Sequence, residues 1–404
     1  MSKLFTAGDK NPKNRSDCFV ELRKNDSTKN NIEVNSKVDA FFGESIKKLA
    51  NDILGFYDIN NADLVINDRG ALEYVLAARI ETVIKKAYDK EEAYLPDFNP
   101  DNEYTIKKQK NRRTRLYLPG NTPKFMINAG IHEPDAIILD LEDSVPLDKK
   151  MDARILVRNA LRVNDFLGTE KTVRINQLPD GLADLDYIIP HNVHTVIIPK
   201  CEKAEEIKEV EDKISEIQGK HKNEQIYLLP ILESPLGLMN AFYIATASEN
   251  IVAIAIGLED YTASLGVKRT KEGKETEFAK NYLVNAAKAA GILPLDSVFS
   301  DVSDQEGLRE FVNSARNMGF MGVGCIHPRQ VKIVHEEFAP SETEIEYAQK
   351  VVKAFEEAEE KGQAAVSLNS KMIDPPVVKR AFRIIDLAIE NQQLDKNWRD
   401  KNEN

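Results

Sequence analysis

Cysteine is scarce: three residues in 404 (Cys18, Cys201 and Cys325), far apart and never in a CxxC pair. Such a set argues against a disulfide framework or a cysteine-built zinc site, and it fits a reducing cytoplasm. Long apolar runs are missing too. The longest, residues 251–258, has eight residues, whereas a membrane helix needs roughly 20. The opening Met1-Ser2-Lys3-Leu4-Phe5-Thr6-Ala7-Gly8-Asp9 holds no apolar block of the ~7–15 residues in a secretory signal. Cations are not in excess. The 55 Lys and Arg face 66 Asp and Glu, a formal net charge of −11, which argues against nucleic acid as a partner. No GxSxG element is present, and no GxGxxG or GxxxxGK[ST] loop follows a strand candidate. What remains is 42% hydrophobic and 30% charged, the composition of a soluble globular chain long enough for about two to three domains.

One stretch departs from the acidic balance. Residues 107–115 (Lys-Lys-Gln-Lys-Asn-Arg-Arg-Thr-Arg) carry six cations in nine positions, read either as a solvated linker or as a phosphate-binding edge. It closes a segment, 89–110, with Pro96, Pro100, many charges and no periodicity, which predicts a linker. Before it lies a small α+β unit. Residues 16–24, 30–37 and 62–68 alternate as strands do, and 38–57 and 71–90 place apolar residues on one helical face. After it, eight apolar runs alternate with helical stretches: 116–119, 136–141, 172–176, 195–199, 227–232, 251–257, 293–298 and 322–326. Such runs fit parallel strands buried on both faces, and eight of them predict a (β/α)8 TIM barrel. A doubly wound open sheet is the second fold reading. The expected division is 1–95, a linker at 96–111, the barrel at 112–340 and a C-terminal helical lid or oligomerisation segment at 341–404.

Ionisable residues gather just after the apolar runs: Asp140-Leu141-Glu142-Asp143, Arg174, Lys200, Glu233, Glu259-Asp260, Asp301 and His327. Any single one is ordinarily a cap or turn residue. In a barrel, however, seven such strand ends converge on one pocket. Glu233 and Asp260 stand one βα unit apart, so they would end neighbouring strands about 4.8 Å apart. Paired carboxylates repel unless a cation lies between them, and oxygen ligands with room for water suit Mg²⁺. Arg174 offers a guanidinium for a carboxylate or an enolate oxygen. With no nucleophile in view, the set predicts carbonyl polarisation and carbanion chemistry.

Ordered motifs then carry a resemblance. Arg112-Arg113-Thr114 with Leu118-Pro119-Gly120-Asn121, Ile138-Leu139-Asp140-Leu141-Glu142-Asp143-Ser144-Val145, Val173-Arg174-Ile175-Asn176, Pro199-Lys200, Leu232-Glu233-Ser234, Gly257-Leu258-Glu259-Asp260-Tyr261-Thr262, Ile326-His327-Pro328 and Met372-Ile373-Asp374-Pro375-Pro376 resemble the citrate lyase β-subunit family, which includes malyl-CoA and citramalyl-CoA lyases. The resemblance implies a TIM barrel with Mg²⁺ on Glu233 and Asp260 and substrate on Arg174. It also implies Glu142 and Asp143 orienting water, and Asp374 as acid/base group on a lid that closes over a neighbouring subunit. Arg113 and Arg115 would lie where coenzyme phosphates bind, with Pro119 and Lys200 as further substrate contacts. His327, before Pro328 at a strand end, reads either as a site residue or as a structural hydrogen-bonding one. The implied reaction splits a 3-hydroxy-3-carboxyl acyl thioester (citryl, malyl or citramalyl) into a 2-oxo acid and an acetyl-type thioester. A thioester hydrolase and a non-catalytic assembly subunit are the alternatives. The family also implies a homotrimer or hexamer and a citrate lyase-like α subunit as partner.

The first domain resembles the citrate lyase acyl carrier subunit through Asn67-Asp68-Arg69-Gly70-Ala71-Leu72-Glu73, Ala78-Arg79-Ile80-Glu81 and Phe42-Gly43. In that family the prosthetic-group serine stands two residues before an Asp. Counting back from Asp17 gives Arg15, with Ser16 merely adjacent, so no attached arm is expected and docking or assembly is the remaining role.

Overall fold

The computed structural model describes residues 3–11, 13–220, 225–360, 366–368 and 371–399, in two compact units, Met1–Val331 and Lys332–Asn404. The first unit opens with β1 (Leu4–Gly8), β2 (Cys18–Lys24), β3 (Asn31–Ser36), α1 (Asp39–Phe56), β4 (Ala62–Asp68) and α2 (Glu73–Ala87). The strands form one sheet in the order β1-β2-β4-β3. Along β4 every second residue is fully buried, the pattern of a sheet with one face on a core. Ile46, Ile53 and Leu54 of α1 and Leu76, Ile80 and Val83 of α2 cover that face, packed with Val20, Leu22, Leu64 and Ile66. Strand β1, absent from the sequence reading, pairs antiparallel with β2 from Leu4↔Arg23 to Gly8↔Phe19.

The rest of this unit is the barrel. Its strands are β5 (Thr114–Pro119), β6 (Ala136–Asp140), β7 (Glu170–Arg174), β8 (Thr195–Ile198), β9 (Tyr227–Leu232), β10 (Ala253–Ile256), β11 (Leu293–Leu295) and β12 (Val323–Cys325). Every residue of β6, β8, β9 and β10 is buried, which is why the sequence shows runs and not alternations. The sheet order is β11-β10-β9-β8-β7-β6-β5-β12, with parallel neighbours throughout. It closes just beyond β11. Val298 bridges Gly324 in parallel, Asp296 N–H donates to Gly322 O at 2.8 Å, and Gly324 N–H donates to Ser297 O at 3.1 Å. An open doubly wound sheet would have two free edges, so the closed barrel replaces that reading.

Helices fill the crossovers: α3 (Lys150–Val163), α4 (Leu182–Ile188), α5 (Ala204–Lys220), α6 (Pro235–Met239), α7 (Ala241–Ala245), α8 (Leu258–Leu265), α9 (Lys274–Ala290), α10 (Gln305–Met318) and α11 (Pro328–Phe338). The single helix expected over 236–247 is two. Asn240 leaves helical geometry with ψ 4°, and its side-chain amide donates to Glu202 O at 2.8 Å. The short α4 escaped the sequence reading because seven residues carry barely two turns of periodicity.

The expected linker is packed structure. Asn102 is fully buried, Lys171 Nζ donates to its carbonyl at 2.6 Å, and Tyr104 OH donates to Thr169 O at 2.6 Å. It forms a strap over the N-terminal ends of β7 and β8, opposite the strand ends that carry the site. The first domain is clamped to the barrel by buried ion pairs. Arg158 of α3 donates to both oxygens of Glu81 at 2.9 and 2.6 Å. Arg79 pairs with Asp17 at 3.0 Å and donates to Asn121 O at 2.9 Å. Asp152 accepts from Gly8 N–H at 3.0 Å and pairs with Lys86.

The second unit holds α12 (Glu342–Glu360), β13 (Val366–Leu368), β14 (Lys371–Ile373) and α13 (Pro375–Glu390). Its core is Ala348, Val351 and Val352 against Val378, Ala381, Ile385 and Trp398. The connection expected to be mobile, 362–370, is only partly described. Residues 362–365 and 369–370 lie outside the described residues, whereas 366–368 pair antiparallel with 371–373 as a hairpin.

Candidate active site

The C-terminal ends of the strands surround a cavity of about 460 Å³ whose walls include Arg115, Tyr117, Asp140, Arg174, Glu233 and Asp260. Arg174 ends β7 in register with Asp140 at the end of β6, and adjacent parallel strands put these side chains side by side. The result is a forked ion pair: Nε and Nη2 donate to the two Asp140 oxygens at 2.7 and 2.8 Å. Nη1 lies 3.0 Å from Glu142 and 3.6 Å from Asp143. Lys200, at the end of β8, donates to Glu142 at 2.9 Å and reaches Asp143 at 3.5 Å. Burial alone would weaken both cations. Hydrogen bonds and charge from Asp140 hold Arg174 well above the ordinary range, and Glu142 does the same for Lys200. Asp140 titrates below its ordinary range because Arg174 outweighs its burial. Glu142 goes the other way, raised by burial with Arg174 and Lys200 opposing.

Glu233 follows β9 and is 4% exposed. Burial, with Asp260 as hydrogen-bond neighbour and like charge, pushes its carboxyl up to about 8. Asp260 lies in the first turn of α8, beyond β10, and not on the strand end itself. Gly257 between them is required by space: a Cβ there would lie 2.7 Å from Glu233 Cγ. No group of three or more His, Cys, Asp or Glu among the described residues is arranged to hold a metal. Two adjoining carboxylates, one of them buried and raised by its neighbour, nonetheless fit a hard divalent cation that keeps several waters.

Several sequence expectations land elsewhere. Asp301 does not join the cavity: it is a turn residue, accepting from Ser303 N–H and Oγ at 2.9 and 2.6 Å. Asp296 takes the place near the end of β11, paired with Lys280 at 2.6 Å. His327 makes a local contact, its Nδ1 accepting from Arg329 N–H at 3.1 Å. Pro119 lines the cavity. Arg113 pairs with Asp135 at 3.0 Å, at the opposite end of the strands, so it does not offer a phosphate edge. Arg115 points into the barrel and is 2% exposed, again no exposed edge. Asp374 belongs to the second unit, where it caps α13 by accepting from Val377 N–H at 3.2 Å. Ser16 sits in left-handed backbone (φ 62°). Asp140 carries no chemical role visible in the sequence motif; its register opposite Arg174 is what reveals one.

A TIM barrel with an arginine-centred acidic pocket at its C-terminal face is the enzyme class these features define. Residues 113–328 match the HpcH/HpaI aldolase/citrate lyase family, and the chain belongs to that family. Residues 14–87 match the malonate decarboxylase delta subunit (MdcD) family. The citrate lyase subunit beta of Leuconostoc mesenteroides subsp. cremoris is 38% identical over 288 residues, 70% of this chain and 95% of that protein. The mitochondrial citramalyl-CoA lyase of Mus musculus is 34% identical over 295 residues, covering 69% and 86%. The solved structure of CitE from Mycobacterium tuberculosis with magnesium, acetoacetate and coenzyme A aligns with TM-score 0.58 and 28% identity, over 70% of this chain and 99% of that one.

Proposed function

We propose that this chain is a Mg²⁺-dependent carbon–carbon lyase that cleaves a 3-hydroxy-3-carboxyl acyl thioester into a 2-oxo acid and an acetyl-type thioester. The observation that carries the reading is buried Glu233 sharing one cavity with Asp260 and Arg174. Those two carboxylates would hold Mg²⁺, whose chemistry is to acidify a hydroxyl beside it. Arg174, fixed by Asp140, would hold the substrate carboxylate and later the enolate oxygen. Glu142 and Asp143 would orient water, with Lys200 keeping Glu142 ionised. Asp374, on the lid of a neighbouring subunit, would take the hydroxyl proton as the C–C bond breaks. The bonding electrons then pass to the thioester enolate, and proton return gives the acetyl-type product.

The reading keeps three further expectations. The acyl group rides on free coenzyme A, because Arg15 stands at the carrier serine's place. The chain assembles as a trimer or hexamer, with a citrate lyase-like α subunit as partner. Its compartment is the cytoplasm, in keeping with three buried free thiols. Within the described residues no helix is long and apolar enough to cross a membrane. The division 1–95, 96–111, 112–340 and 341–404 is kept as a proposal about modules.

The test is to incubate the pure chain with Mg²⁺ and a panel of acyl-CoA thioesters. A 2-oxo acid appearing with the shortened thioester supports the lyase. Free hydroxy acid and thiol would make it a hydrolase, and no turnover would leave an assembly subunit. Glu233→Gln and Asp260→Asn should each abolish Mg²⁺-dependent turnover and weaken Mg²⁺ binding in calorimetry, with the fold intact by circular dichroism.

A further inference from the structure

The interior of the barrel holds a guanidinium that the lyase reading does not use. Arg115 is the second residue of β5, on the inward face it shares with Tyr117 and Pro119, and its side chain lines the site cavity. It is 2% exposed. An Arg carries five N–H donors and stays charged. Here Nη2 donates to the Asp296 carbonyl at 2.6 Å, whereas Nε has no hydrogen-bond partner. Among the described residues no carboxylate forms an ion pair with it. The nearby Asp296 carboxylate is engaged by Lys280 from α9. Buried charges are ordinarily paired, because burial without a partner is costly. An aliphatic residue would fill this part of a barrel more cheaply.

We propose that Arg115 is a specificity-determining residue that pairs with a second carboxylate on the substrate's C3 substituent. The preferred thioester then releases a dicarboxylic 2-oxo acid, not one with hydrogen or methyl at that position. The proposal rests on the lyase reading for the identity of the acid. Its core, a second anion subsite at the cavity floor, is separable from turnover. The geometry gives the two arginines different tasks: Arg174, at the strand ends, holds the reacting carboxylate, and Arg115, further down β5, holds the distal one.

The test uses the full chain and compares kcat/KM for citryl-CoA and citramalyl-CoA, which differ at C3 by a carboxylate. Wild type should prefer citryl-CoA, and Arg115→Met should lower the citryl/citramalyl ratio on the order of 100-fold, as expected for removing one partner of a buried charge pair. Arg115→Lys, which keeps the charge without the fork, should lower it less. An unchanged ratio in Arg115→Met, or a wild type preferring citramalyl-CoA, overturns the proposal. Calorimetry of wild type with oxaloacetate and with pyruvate in Mg²⁺ supplies a readout that needs neither turnover nor a folded variant. Tighter oxaloacetate binding supports the subsite even if no thioester is cleaved, which would sink only the lyase reading. Equal affinity for the two acids overturns the subsite whatever the turnover.

Discussion

At the scale of single residues, the site depends on one side chain holding another. Asp140 spends both oxygens on Arg174, so the guanidinium is aimed before substrate arrives, and preorganised charge is worth most where water is excluded. Asp140→Asn keeps the shape but loses the charge and one acceptor. Turnover should fall by roughly 10–100-fold, with Mg²⁺ affinity nearly unchanged, as kinetics beside calorimetry would show. A second residue reports on stability. Nδ1 of His194 accepts from Lys171 N–H at 3.0 Å, and Nε2 lies 2.7 Å from Tyr104 O. That pattern requires the neutral ring with its proton on Nε2. Burial first, and the Lys171 charge second, lower its pKa from 6.5 to about 3. Between those values the unfolded chain binds a proton that the folded chain refuses. Stability should therefore be complete above pH 6.5 and be lost as pH falls, by at most about 1.4 kcal/mol per pH unit from this group. Denaturant melts across that window, repeated on His194→Gln, would show the slope and its loss.

At the scale of elements, what could be read in advance was what repeats locally. The barrel strands announced themselves as apolar runs because both faces of each are buried, and the polar residues at or just after their ends marked Glu233, Asp260 and Arg174. The strap at 96–111 did not, because its meaning lies in contacts such as Asn102 with Lys171, 69 positions away. Its charges looked like those of any solvated linker. The burial of Arg115 was equally hidden, since only the inward alternation of β5 turns one cation of a basic run into a barrel-floor residue. Asp374 shows a different limit: one residue can satisfy a local rule and a chemical one. Asp before Pro375-Pro376 is an N-cap by sequence, and it is one in the structure. Substitutions separate the roles. Asn caps as well as Asp, so Asp374→Asn should leave the melting temperature in place and still remove most turnover if the carboxylate transfers the proton. Asp374→Ala should add a stability loss of about 1 kcal/mol. Full activity in Asp374→Asn would leave the residue a cap and nothing more.

At the scale of the whole molecule, the first domain has the outline of a carrier without a carrier's freedom. A carrier must present a flexible arm and move between sites. Here Asp17, next to Ser16, is buried in an ion pair with Arg79, whose other N–H groups donate to Asn121 O and Asp152 O of the barrel. Arg158 and Glu81 form a second clamp, each at most 1% exposed. Breaking such a pair strands a buried charge, at a cost of about 3–5 kcal/mol. Glu81→Ala should accordingly lower the melting temperature of the full chain by several degrees. By the carrier resemblance the prosthetic-group serine's place falls on Arg15, which has no hydroxyl to esterify. The domain should thus be a fixed structural wing, and the thioester should arrive on free coenzyme. Intact-mass measurement of protein from its natural host should give the bare polypeptide mass, and acyl-CoA alone should support turnover. A mass increment mapped to Ser16 would reverse this. It would make the chain a lyase with its own arm, and the two clamps would then have to open during each cycle.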